Sequence, residues 1–148
     1  LARMGIIGEP DAELRDLLAT VEEVQQASRK LIAPGFRGGD IYAEADKVLN
    51  QSPHQSYLHF MAHGMGLVSH EAPRLSSKNP VPYPGYDENL PLENGMVISI
   101  ETTMSHPQRG YINLEDTILV TPTGHESLGD GLQFKAELRE FVDGRPER

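Results

Sequence analysis

The chain contains no cysteine. That excludes disulfides, thiolate ligands and a cysteine nucleophile, so any metal must be held by histidine nitrogen and carboxylate oxygen. Lysine and arginine are sparse, 13 against 22 acidic residues, and the net charge is −9. Phosphate backbones are attracted by clustered positive charge, and none is clustered here, so nucleic acid is not an expected partner. No apolar run approaches the roughly 20 residues of a bilayer-spanning helix, so no membrane is expected either. No signal peptide is visible, and with the lack of cysteine this fits a reducing compartment; the expectation is cytoplasmic. The chain has 148 residues, 38% hydrophobic and 24% charged, the profile of one globular domain with a sizeable core. It begins at Leu1 rather than methionine, and its opening, LARMGIIG, reads as a strand. The expectation is a piece of a larger domain whose upstream part is missing.

Two helices are predicted first. Glu9-Pro10-Asp11 places proline at the first helical position and acid at the positive end of the helix dipole. Leu14, Leu17, Leu18, Val21, Val24, Leu31 and Ile32 recur at helical spacing until Ala33-Pro34-Gly35. This stripe reads as core. A shorter helix is expected from about Asp40, burying Ile41, Ala45, Val48 and Leu49 and stopping before Pro53. Tyr57 to Met61 reads as a strand, followed by a turn at His63-Gly64-Met65-Gly66. Lys78 to Gly95, with four prolines, reads as an extended loop. Strands follow at Met96–Thr103 and Gly110–Thr121, then a short helix over 135–141 and a frayed tail from about Asp143. Helices followed by hairpin strands make an α+β unit.

The chemistry lies in histidines and glutamates. His54, His59, His63 and His70 fall within seventeen residues, and imidazole is a common ligand for zinc, manganese and iron. Strand alternation places Val97, Ser99 and Glu101 on one face, and Asn113, Glu115 and Thr117 likewise on the next strand. If the strands are antiparallel neighbours, two glutamates share a polar face, and they repel unless a proton or cation lies between them. His54, His106 and His125 read as ordinary surface or turn residues. Tyr83 and Tyr86 read as exposed loop aromatics, and Asp116, on the apolar face of its strand, as a structural hydrogen-bond acceptor.

Three segments carry a resemblance: HFMAHGMGLVSHE (59–71), ENGMVISIE (93–101) and LEDTILVT (114–121). In this order they resemble the C-terminal signatures of the pita-bread metallopeptidases, which include methionine aminopeptidase, aminopeptidase P and prolidase; creatinase shares the fold. The resemblance runs from Leu1 to about Leu128. It implies the C-terminal half of a pita-bread catalytic domain, with two helices packed on a curved antiparallel sheet. It implies His63, Glu101 and Glu115 as metal ligands, Glu101 also as the group that handles protons, and His70 and His59 as catalytic groups contacting substrate. His59 and the close spacing of the glutamates resemble the proline-specific branch. The cofactor implied for the complete enzyme is a pair of divalent ions (Mn, Co, Zn or Fe), which lower the pKa of a shared water and polarise the scissile carbonyl.

The family pattern is not matched everywhere. Thr102-Thr103 stand where Pro-Gly is common, Asn113 where proline-specific members usually carry arginine, and the loop between His70 and Glu101 is long. These positions are expected to border the substrate pocket, with Asn113 a substrate contact. The family site also uses two upstream aspartates. Arg3 fits the basic position that follows the second one, which places that aspartate immediately before Leu1. The fragment is therefore expected to be inactive, with no metal or one weakly bound ion, and its missing half is an expected partner beside a peptide or small-amide substrate. The uncovered sheet edge would favour a homo-oligomer. Two other functions remain open: a creatinase-like or other small-amide hydrolase, and a pita-bread binding module without catalysis.

Overall fold

A computed structural model describes residues 1–78 and 84–129. The expected helix over 135–141, the tail, Pro80, Pro82 and Tyr83 lie outside the described residues. Helix α1 spans Ala12–Arg29 and α2 Gly38–Leu49. Strands β1 (Leu58–Gly64), β2 (Val97–His106), β3 (Gly110–Thr121) and β4 (Gly124–Ser127) form one antiparallel sheet in the order β1-β2-β3-β4.

The helices lie on one sheet face, and alternation decides which side chains meet them. Leu58, Phe60 and Ala62 of β1, Ile98, Ile100 and Met104 of β2, and Ile112, Leu114, Ile118 and Val120 of β3 are all buried. They pack against Leu17, Val21 and Val24 of α1 and Ile41, Tyr42 and Ala45 of α2. The other face carries His59, Met61 and His63, then Ser99, Glu101 and Thr103, then Asn113, Glu115 and Thr117, as the pairing register requires.

Several boundaries differ from those expected. The opening residues form no strand: Ala2 makes one antiparallel bridge to Glu115, and Ile7 lies fully exposed before Gly8 turns the chain at φ 91°. Proline is not the first helical residue of α1, because the Asp11 carboxylate caps the helix by accepting from Leu14 N at 2.8 Å. The helix ends at Arg29, and short turns rather than further helix carry Ile32 into the core. His63 and Gly64 belong to β1 rather than to a turn, and His63 pairs with Ser99. The loop after β1 returns at once, with Gly64 N donating to Pro73 O (2.8 Å) and Glu71 N to Gly64 O (3.1 Å). A Cβ at Gly64 would lie 2.1 Å from the Ala72 carbonyl, so only glycine permits this close return.

Candidate metal centre

Glu101 and Glu115 are directly opposed across β2 and β3. His63 enters from β1, diagonal to Glu101. One ligand atom from each of the three lies within 4.8 Å of the other two. They are the only three or more such groups gathered closely enough to share a metal ion among the described residues.

Each member is held. Ser99 Oγ donates to Glu115 Oε1 at 2.7 Å, and Asn113 Nδ2 donates to Glu101 Oε1 at 3.0 Å. His63 is 1% exposed, with Nδ1 3.0 Å from the Gly64 carbonyl oxygen. A carbonyl only accepts, so Nδ1 carries the proton and Nε2 a lone pair. Nε2 is buried with no hydrogen-bond partner. An acceptor nitrogen left bare beside two carboxylates is the donor set of a divalent cation with nitrogen and oxygen ligands, and a backbone carbonyl fixing the other ring nitrogen is the usual support for such a ligand.

The electrostatics point the same way. Burial pushes the His63 imidazole below its ordinary value, which keeps it neutral and able to ligate. Burial and the neighbouring Glu115 charge push Glu101 up. Burial acts on Glu115 in the same direction, and the hydrogen bond from the Ser99 hydroxyl opposes it.

The remaining expected residues fall at graded distances. His70 is exposed and stacks on the His63 ring, centroids 4.0 Å apart and planes at 19°. His59 is exposed on the same sheet face, opposite Thr103, with Met61 between it and His63 along the strand. Asn113 faces the site, its amide donated to Glu101. Thr103 also faces the site, but Thr102 does not border it. Strand alternation turns Thr102 to the helix side, where it is fully buried and donates to Gln25. Asp116 accepts there from Gln25, Arg3 and Arg29, the structural acceptor expected. Tyr86 is 76% exposed beneath the Arg74 guanidinium, whereas Tyr111, not singled out in the sequence, shares the site face with Asn113. Burial and the Glu101 charge push the Tyr111 phenol up. His54 and His106 pack edge-to-face at the far end of the sheet, and His125 Nδ1 lies 2.9 Å from Ile32 O.

Known proteins resemble this chain in sequence and fold. The chain is 31% identical over 129 residues to an Xaa-Pro dipeptidase of Pyrococcus furiosus, covering 86% of this chain and 34% of that protein. It is 35% identical over 122 residues to an uncharacterised peptidase of Staphylococcus aureus, covering 82% and 32% respectively. The solved prolidase from Pyrococcus furiosus superimposes with a TM-score of 0.71 at 30% identity, over 86% of this chain and 36% of that one. The chain therefore spans about a third of the length of the relatives it matches. Its two helices and antiparallel sheet are part of the pita-bread fold of the prolidases. No helix among the described residues is long and apolar enough to cross a membrane. Residues 1–122 match the pattern of one metallopeptidase family, and on that match the chain belongs to metallopeptidase family M24.

Proposed function

We propose that this chain supplies three metal ligands and the proton-handling carboxylate of a proline-specific peptidase, an Xaa-Pro dipeptidase or aminopeptidase. The observation that carries the reading is the buried, unpartnered Nε2 of His63 beside the opposed carboxylates of Glu101 and Glu115. The 31% identity to an Xaa-Pro dipeptidase supports the substrate class. His63, Glu101 and Glu115 would hold the metal, and the centre would be completed by ligands outside this chain. When bound, divalent cations lower the pKa of water and polarise a carbonyl.

The chain's own residues divide the remaining work. Glu101 takes a proton at its carboxylate and passes it to the leaving nitrogen, with Asn113 fixing the orientation of that carboxylate. Ser99 holds Glu115 in its ligating orientation. His70, stacked on His63, and His59, further along β1, donate hydrogen bonds to oxygen charge developing on the substrate.

The test uses the full-length protein that carries this chain. It is expected to hydrolyse an Xaa-Pro substrate with Mn²⁺, Co²⁺ or Zn²⁺ and to lose that activity with chelator. Hydrolysis of a guanidino compound or another small amide, with none of Xaa-Pro peptides, would replace this reading with the creatinase-like one.

A further inference from the structure

Behind the two glutamates, on the helix side of the sheet, lies a polar network inside an otherwise apolar layer. Gln25 of α1 is 1% exposed. Its Nε2 donates to Ile100 O (2.9 Å) and to Asp116 Oδ2 (3.1 Å), and its Oε1 accepts from Thr102 Oγ1 (2.7 Å). Both amide donors and the carbonyl are thereby used. Ile100 and Thr102 flank Glu101, and Asp116 follows Glu115. Asp116 also accepts from Arg3 and Arg29, and Arg3 Nη1 donates to the Glu115 carbonyl at 2.7 Å.

The placement matters because of what stands in front. Two carboxylates directly opposed on neighbouring strands repel, and like charges at such a pair are destabilising. Their separation must be fixed before a cation arrives if the site is to bind without reorganisation. A buried amide bridging the backs of both strands resists their splaying. Two guanidinium groups against one carboxylate also leave net positive charge one strand's thickness behind the pair.

We infer that Gln25, acting through Thr102 and Asp116, is a positioning residue that sets the separation of the Glu101 and Glu115 carboxylates from behind the sheet. The inference rests on the metal-ligand reading of those glutamates. It gives Thr102 a function away from the substrate, and it gives one face of α1 a role beyond packing.

The test is Co²⁺ binding to the full-length protein, followed by calorimetry and by the visible absorption of the bound ion, well below the melting temperature. Thr102→Val keeps the shape and removes the donor; Thr102→Ser keeps the donor. Thr102→Val and Gln25→Leu are expected to weaken Co²⁺ binding about tenfold, the lower end for groups supporting metal ligands, and to shift the absorption bands. Thr102→Ser is expected to restore both. If Gln25→Leu does not fold, the threonine pair decides. A Thr102→Val protein that melts lower but binds Co²⁺ with unchanged affinity and spectrum has lost only packing, and the positioning role would be overturned. A wild-type protein that binds no Co²⁺ would overturn the metal reading and the inference together.

Discussion

At the scale of single residues, the site depends on partners that composition does not reveal. Alternation alone set Glu101 and Glu115 on one face, and the register then makes them direct neighbours. The unpartnered Nε2 of His63 was not legible, because it follows from the Gly64 carbonyl holding the opposite nitrogen. Thr102 differs from its expected place for the converse reason: Thr102-Thr103 reads as a pair in the motif, and a strand sends consecutive side chains to opposite faces. Two residue-scale predictions follow from such contacts. In the full-length protein, Glu101→Gln should lower turnover by about 10² to 10⁴, the usual contribution of a positioned proton carrier, since an amide cannot shuttle a proton. Steady-state kinetics on an Xaa-Pro substrate checks this, and an unimpaired variant would remove Glu101 from the chemistry. Tyr42→Phe concerns stability. The hydroxyl accepts from Ala62 N at 2.9 Å and lies 3.3 Å from Ala62 O, covering the outer edge of β1 where Ala62 is fully buried. Losing it strands two backbone groups while the ring still packs edge-to-face on Phe60, so unfolding free energy should fall by about 1–3 kcal/mol. A denaturant midpoint equal to wild type would show that water satisfies them instead.

At the scale of elements, the long periodic segments were legible and their ends were not. The apolar stripe of α1 and the alternation in β2 and β3 have lengths at which period decides type. Strand β4 escaped because Gly124–Ser127 is four residues long and is defined only by pairing with β3. The opening segment read as a strand for its apolar residues, but one bridge to Glu115 is all that forms. The start of α1 offers a test. Asp11 caps Leu14 N and pairs with Arg109 from the β2–β3 turn. The backbone hydrogen bond from Leu14 and then the Arg109 contact hold its carboxyl below the ordinary value. A carboxyl lowered on folding stabilises the fold fully above its unfolded pKa of about 3.9, and that contribution is lost as pH falls through the folded value. Asp11→Asn keeps an acceptor for the cap but cannot ionise. The variant should therefore be less stable than wild type near neutral pH, with the gap closing on acidification. Thermal melts of both proteins at a series of pH values measure this; a gap constant with pH would mean that the charge of Asp11 is not involved.

At the scale of the whole molecule, the chain spans about a third of the relatives it matches, and three side chains among its described residues gather closely enough to share a metal ion. With His63 neutral, Glu101 and Glu115 make the site acidic, inside a chain of net charge −9. That attracts one divalent ion. Two such ions held about 3.5–4 Å apart repel each other strongly and need further carboxylates between and around them. On the metal reading proposed above, that part would fall to carboxylates from outside this sequence, as the two aspartates of the family pattern imply. The 148-residue chain alone is therefore expected to bind at most one Mn²⁺ or Zn²⁺ per molecule, weakly, and to hydrolyse no Xaa-Pro peptide. Binding should weaken as salt is raised, because the two carboxylates are only partly buried and their field is screened. Calorimetric titration of the isolated chain at low and high salt, with a parallel Xaa-Pro assay, measures both quantities. Two tightly held ions per chain with measurable turnover would mean that His63, Glu101 and Glu115 need no ligands from elsewhere, and the division of the centre between this chain and the rest of its protein would have to be abandoned.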